Sequence, residues 1–218
     1  MVLFAVALAA VVAVVVNLSG TREASAPATT TADSRSAETT AKPSGERKVQ
    51  KLPVVSDDWP EPSGEEVAAT QGSRYYPPQQ DAELTLTVEA IGLYDVPVID
   101  EASEEALEQG VIHILQTPMP WEQRPQKNVY LAGHRLGFPD TGSRLVFYNL
   151  DQLSNGDSVI LKDRSGTVYE YQVSESFVVE PDADWVVDPV RGRDMVTLQT
   201  CTFPNFENRL IVRADRRA

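Results

Sequence analysis

The segment Leu84-Thr85-Leu86-Thr87-Val88-Glu89-Ala90 alternates apolar and polar side chains. This two-residue period is typical of a β-strand with one buried face. Asp100 is a candidate N-cap for a short helix that ends near Gly110. Strand-like sequence recurs elsewhere in the same part of the chain, at residues 94–99, 129–132, 158–162, 168–179, 195–201 and 210–214. Seven or eight strands with only short helices predict a closed or nearly closed β-barrel.

Composition divides the chain of 218 residues into three parts. Residues 1–18 are almost all apolar, and a helix of that length spans roughly 27 Å, enough for a bilayer core. We therefore expect a transmembrane signal-anchor there, with a cleaved signal peptide as the alternative. Residues 19–82 are rich in Ser, Thr, Ala and Pro and have too little apolar surface to fold, so we expect a disordered extracytoplasmic linker. Residues 83–218 then form the folded domain, which carries the chemistry.

The net charge of −13 argues against a nucleic-acid partner, because such binding depends on clustered Lys and Arg. The sequence also lacks a zinc-type set of His and Cys, a phosphate-binding P-loop and a dinucleotide-binding glycine pattern. We therefore expect no metal and no cofactor. Nothing in the sequence demands more than a monomer.

Cys201 is the only cysteine in the chain. A lone cysteine is buried and inert, paired between chains, or used for chemistry. His134 follows one predicted strand and Cys201 ends another, so two strand ends on the same side of a barrel can bring them together. A histidine beside a thiol can accept its proton and make it a nucleophile. The other histidine, His113, lies in an apolar segment and is expected to be structural.

Arg209 lies eight residues after Cys201, at the start of the next predicted strand. A hairpin of that length returns the guanidinium to the vicinity of the thiol. There, a permanent positive charge can stabilise the negative oxygen that develops when an amide carbonyl is attacked. The alternative is a surface ion pair, for instance with Glu207, which contributes little. The spacing alone leaves both interpretations open.

Taken together, three separated motifs resemble the sortase family. They are Ala132-Gly133-His134-Arg135, Thr197-Leu198-Gln199-Thr200-Cys201 and Arg209-Leu210-Ile211-Val212. The resemblance covers roughly residues 84–214 and implies an eight-stranded sortase-type β-barrel with short helices. The residues that follow Cys201 and Arg209 look most like the class D and class E sortases of Gram-positive bacteria.

The resemblance implies a cysteine transpeptidase held in the cell membrane by a single span, with its catalytic domain facing the cell wall. Cys201 would attack the Thr–Gly amide of an LPXTG-like sorting signal on a surface protein and form a thioester. An amine from a peptidoglycan precursor or a pilin would then resolve it. His134 would serve as acid and then as base, Arg209 would hold the oxyanion and the signal, and Thr200 would contact the substrate.

Two other functions are compatible with the same residues. One is a Cys/His amide hydrolase of the cell envelope that uses water as the acceptor; dependence on an added amine separates it from a transpeptidase. The other is a non-enzymatic, anchored β-domain for surface adhesion, in which Cys201 only fills the core. A thiol-reactive substrate analogue would leave Cys201 unlabelled in that case.

Overall fold

A computed structural model describes residues 60–217 of the chain. These residues contain two short helices, α1 (Gly64–Ala69) and α2 (Glu104–Gln109), and three short 3-10 turns. Their strands are β1 (Arg74–Tyr75), β2 (Ala82–Val88), β3 (Leu93–Ile99), β4 (Val111–His113), β5 (Lys127–Gly133), β6 (Ser158–Asp163), β7 (Val168–Val179), β8 (Asp194–Cys201) and β9 (Arg209–Arg216). The described part of the chain is therefore mostly β.

Eight of these strands form a closed ring in the order β3-β2-β6-β7-β9-β8-β5-β4. The ring closes where β3 pairs with β4, with Val98 beside Val111 and Ile99 beside Ile112. The β3–β4 and β5–β8 pairs are parallel, and the other neighbours in the ring are antiparallel. The two-residue β1 adds to β3 outside this ring. The structure therefore confirms an eight-stranded β-barrel with short helices, and the directions of its strands are mixed.

Apolar side chains pack in two clusters, one on each face of the barrel wall. The larger cluster fills the interior and includes Val196 and Leu198 of β8. The smaller cluster includes Tyr130 of β5 and Ile211 of β9 and is covered by α2 and by the segment that follows β7. Because successive side chains of a strand point to opposite faces, Gln199, which contacts Tyr130, lies on the outer face of β8.

The folded region begins before the predicted linker boundary at residue 82. Glu66 of α1 forms an ion pair with Arg144, at 2.7 Å between Oε1 and Nε. The Asn149 side-chain amide donates to the Thr70 carbonyl at 2.9 Å. Polar contacts and the capping box of α1 hold this segment. The linker prediction rested on the low content of apolar residues, and that measure does not include polar contacts. The prediction of a linker therefore differs from the structure over residues 60–82.

The predicted signal-anchor at residues 1–18 and the rest of the predicted linker lie outside the described residues. Between residues 60 and 217, no helix is long and apolar enough to cross a bilayer.

Candidate active site

The three residues predicted to be catalytic come at the same end of three adjacent strands, β5, β8 and β9, and we call this set the row. Cys201, the last residue of β8, pairs directly with Arg209, the first residue of β9. Strand β5 runs parallel to β8 with Ala132 beside Gln199. The pairing of β5 with β8 ends there, and the same register continued by two residues puts position 134 level with Cys201. The row therefore sits at one end of the barrel, on the outer face to which Gln199 belongs.

Gly133 fixes the place where the chain leaves β5 for His134. A Cβ atom at position 133 would lie 2.7 Å from Cδ2 of the Phe147 ring and 3.3 Å from Cγ2 of Val111. Only glycine leaves room for both side chains inside the barrel. The His134 carbonyl also accepts a hydrogen bond from the Phe147 amide at 3.1 Å. The backbone on both sides of the histidine is thus tied to one buried phenylalanine.

The Cys201 thiol is partly exposed and lies in the field of two guanidinium groups. Burial raises the pKa of the thiol above its usual value, while the charges of Arg209 and Arg135 act in the opposite direction. A thiol with a raised pKa is protonated at neutral pH. Cys201 therefore needs a nearby base to become a nucleophile.

The His134 ring is half-buried and packs edge to face against Phe138, with 6.3 Å between ring centroids. Burial lowers the pKa of His134 to about 4. The imidazole is therefore neutral at pH 7 and can accept a proton. The lowered pKa of the imidazole and the raised pKa of the thiol both favour the neutral forms of the free enzyme, so a proton would pass from sulfur to nitrogen only as a substrate is attacked.

Arg209 is held by the loop that joins β8 to β9 (residues 202–208). Its Nη1 donates to the carbonyl oxygens of Phe206 at 3.1 Å and Asn208 at 3.3 Å. The loop is closed by a hydrogen bond from the Thr202 amide to the Asn208 carbonyl at 3.0 Å. A guanidinium fixed in this way places a permanent positive charge beside Cys201, where it can stabilise a developing oxyanion.

The Thr200 side chain lies on the opposite face of β8 from Cys201, although it was predicted to contact the substrate. It is 2% exposed, and alternation along β8 places its side chain on the interior face with Leu198. The Thr200 hydroxyl oxygen is buried and has no hydrogen-bond partner. The structure therefore does not bring this hydroxyl to the face that carries Cys201. This placement still allows Thr200 to contact the substrate through its main chain.

A cavity of about 450 Å³ lies next to the row. Its lining combines apolar side chains, two carboxylates and an amide, from Val178, Val179, Glu180, Asp182, Ala183, Trp185 and Asn208. Val179 is the residue of β7 that pairs with Arg209, and Asn208 directly precedes Arg209. The cavity therefore opens beside the strand end that carries Arg209, on the side away from β5.

One wall of the cavity belongs to the segment between β7 and β8 (residues 180–193), which is held firmly on the barrel. The Asn128 side-chain amide donates to the Val186 carbonyl at 2.9 Å, and its Oδ1 accepts from the Thr197 hydroxyl at 2.6 Å. The Arg213 guanidinium lies 5.6 Å from the centre of the Trp185 ring. These contacts connect the wall to β5, β8 and β9, the strands that carry the row.

Sequence reasoning assigned no role to Arg135 or to the cavity wall. Arg135 directly follows His134, and this adjacency was the only available signal, since its approach to Cys201 depends on how two distant loops pack.

Among residues 60–217, no three His, Cys, Asp or Glu side chains lie close enough together to hold a metal ion.

A comparison with protein families matches the Sortase domain to residues 65–217, more than half of the chain. The chain belongs to the sortase family. Sortases are cysteine transpeptidases, and the β-barrel described above is the fold of the family. Family members typically act outside the cell while anchored in its membrane.

Sortase A of Streptococcus agalactiae serotype III (strain NEM316) is 36% identical over 90 residues, which are 41% of this chain and 36% of that protein. The alignment thus spans about a third of the length of this curated relative. The crystal structure of Streptococcus agalactiae sortase C1 in complex with MTSET is 30% identical with a TM-score of 0.57, covering 64% of this chain and 69% of the other.

The structure of sortase A from Corynebacterium diphtheriae supports the fold alone, at 23% identity and a TM-score of 0.57 over 64% of this chain and 62% of the other. All three relatives are named as sortases A or C. They give no support to the class D or E assignment that the sequence motifs suggested.

Proposed function

We propose that this sortase cleaves an LPXTG-like sorting signal through a thioester on Cys201 and transfers the released protein to an amine of the cell wall. The observation that supports this proposal is the place of His134, Cys201 and Arg209 at one end of three adjacent strands. No sortase class is part of the proposal, because the named relatives are sortases A and C.

The reaction begins with transfer of the Cys201 proton to His134. The sulfur attacks the carbonyl carbon of the threonine in the Thr–Gly bond, and the negative charge that develops on oxygen faces the Arg209 guanidinium. His134 gives its proton to the departing glycine amine, and the C–N bond breaks to leave a thioester. An incoming amine loses a proton to His134 and attacks the thioester, and the Cys201 sulfur leaves and is reprotonated.

The cavity beside Arg209 is proposed to receive the signal residues that precede the scissile bond. Its apolar lining, including Val179 and Trp185, suits the leucine and proline of such a signal. The signal would lie alongside Arg209 with its threonine carbonyl over Cys201. The 180–193 segment is already held on the barrel, so this wall needs little ordering when a peptide binds.

We also propose that the domain acts on the outer surface of the cell, carried by residues 1–18 as a membrane anchor. In that setting, the acceptor is an amine from a peptidoglycan precursor or from a pilin. Hydrolysis of the thioester by water is the competing reaction at the same site, and the availability of an amine decides between the two outcomes.

A peptide-cleavage assay with the purified chain tests the proposal. A fluorogenic LPXTG peptide is incubated with and without triglycine or diaminopimelate, and products are identified by mass spectrometry. We expect cleavage, an amine-linked product when the amine is present, and a thioester adduct on Cys201. Hydrolysis that added amines do not divert would indicate the amide hydrolase instead.

Cys201→Ala is expected to abolish turnover without changing the thermal unfolding midpoint by more than a few degrees, because the thiol is a small, partly exposed group. MTSET, the reagent bound to the related sortase C1, is expected to label the parent chain once and the variant not at all. Full activity of Cys201→Ala would refute the assignment of the nucleophile. An unlabelled, inactive parent would favour the non-enzymatic β-domain.

A further inference from the structure

Arg135 is a buried arginine at the edge of the candidate active site. Its side chain is 5% exposed, and its Nη2 forms an ion pair with Asp151 at 2.9 Å. The Nε atom of the same guanidinium is buried without a hydrogen-bond partner. Burial of a charged group with an incomplete set of hydrogen bonds is costly, so another interaction must favour this position.

That interaction is with the loop that follows the nucleophile. The Arg135 guanidinium carbon lies 4.2 Å from the centre of the Phe203 ring, a cation–π contact of short range. Phe203 is itself packed edge to face by Tyr148 at 5.4 Å and by Phe206 at 5.5 Å. Arg135 thus contacts a residue two positions after Cys201.

The same contact connects all parts of the row. Arg135 is bonded covalently to His134, and Phe203 belongs to the β8–β9 loop that begins after Cys201. Phe206, the neighbour of Phe203, offers the carbonyl that holds Arg209. An unbroken path of contacts therefore runs from the histidine through Arg135 and two phenylalanine rings to the second guanidinium.

We infer that Arg135 is a positioning residue for the reaction proposed above: it holds the β8–β9 loop against the segment that follows His134 and keeps a second fixed positive charge facing Cys201. The inference rests on the proposed function only where it concerns turnover. Its structural part, the placement of the loop and the charge at the thiol, can be measured without a substrate.

The charge at the thiol has a definite expected sign. Arg135 and Arg209 both lower the pKa of Cys201, against the effect of burial. Removal of either guanidinium therefore makes the thiolate harder to form. The titratable and charged groups on the surrounding elements are His134, Arg135, Arg209, Asp151, Glu207, Glu180 and Asp182.

The test compares Arg135→Gln and Arg135→Lys with Arg216→Gln as the matched control. Arg216 also stacks on an aromatic ring, at 4.9 Å over Tyr169, and lies near the far end of β9 from Arg209. Three quantities are measured on the full chain: the pH profile of Cys201 alkylation by iodoacetamide, hydrogen exchange of residues 202–208, and kcat/KM for peptide cleavage.

For Arg135→Gln, we expect the alkylation profile to move to higher pH, the loop to exchange faster, and kcat/KM to fall about tenfold or more. Arg135→Lys keeps the charge but stacks less well, so we expect it to restore the alkylation profile more than the loop exchange. Arg216→Gln should match the parent in all three. An Arg135→Gln variant that is indistinguishable from Arg216→Gln in alkylation and exchange overturns the inference.

Phe203→Leu covers the case in which Arg135→Gln fails to fold, because it removes the ring and leaves the buried ion pair intact. We expect faster exchange of residues 202–208 and a lower kcat/KM; parent-like exchange contradicts the role of the contact. If the parent cleaves no sorting peptide, the proposed function fails, while the alkylation and exchange results still decide the role of Arg135.

Discussion

The two histidines of this chain lie at the ends of neighbouring strands and have opposite surroundings. His113, at the end of β4, is 2% exposed, and its ring nitrogens lie 2.7 Å from an Asp100 carboxylate oxygen and 2.9 Å from the Thr117 hydroxyl. His134 follows β5, where its half-buried ring packs on Phe138 and stands in the row with Cys201. One histidine is enclosed by the fold, and the other is presented at its end.

The difference shows what makes a histidine available for chemistry. Both ring nitrogens of His113 are used by the protein, and the Thr117 hydroxyl it contacts also bonds the Ile114 carbonyl at 2.8 Å and the Tyr130 amide at 3.1 Å. Neither ring nitrogen of His113 is therefore left to face a substrate. The end of a strand, by contrast, puts a ring beside solvent and substrate.

The largest expected effect is on the rate of peptide cleavage, which should depend on His134 and not on His113. His134→Ala should lower kcat/KM for peptide cleavage by roughly 100- to 10,000-fold, the usual loss when a general acid–base is removed. The fold should survive, because the ring is only half-buried. Steady-state cleavage rates and thermal unfolding of the same preparation provide the measurement. A variant with parent-like kcat/KM would remove His134 from the mechanism.

The next largest effect is on the stability of the fold, and it is expected when His113 is replaced. His113→Ala removes a buried ring together with its hydrogen bonds to Asp100 and Thr117, so the free energy of unfolding should fall by about 2–4 kcal/mol. Below its unfolding midpoint, the variant should keep kcat/KM within a few fold of the parent. Urea denaturation measures the first quantity and peptide cleavage the second.

A folded His113→Ala variant that loses activity as strongly as His134→Ala would contradict this division of roles. It would mean that the Asp100–His113–Thr117 network acts on the reaction through β5. Unchanged stability would instead show that the network contributes little to the fold.

The sequence predicted the barrel well because strands follow from local pattern. Strand β7 was predicted with its observed limits, since its apolar residues and the turn before it are read directly from the chain. Strand ends at His134 and Cys201 were also evident, and adjacent strands then bring such ends together. The order of the strands and the interior position of Thr200 could not be predicted, because both depend on how the strands pair.

What the sequence did not reveal depends on contacts between distant segments. Asp100 is a plausible N-cap by composition, but Ser103 caps α2, and Asp100 is instead the partner of His113. Arg135 and Phe203 are 68 positions apart, and no periodic pattern marks a cation–π contact. Helix α1 was missed because it is short, has no buried residue and is held by polar groups.

The smallest expected effect concerns pH and again sets His134 apart. Its pKa is about 4 in the folded chain, below the ordinary value of 6.5. Between pH 6.5 and pH 4, the unfolded chain therefore takes up a proton at this position that the folded chain does not. The free energy of unfolding should fall as the pH drops through this window and level off, for this group, below pH 4.

His134→Ala lacks this proton uptake, so the parent should lose more stability than the variant between pH 6.5 and pH 4, by about 1–2 kcal/mol for a half-buried ring. Carboxylates such as Glu66, whose pKa is lowered to about 2 by its bond to Arg144, titrate in both proteins and cancel in the difference. Urea denaturation at pH 7, 5.5 and 4.5 measures it. Parallel curves for the two proteins would mean that the ring is solvated enough to titrate near its ordinary pKa, and that burial does not set its protonation.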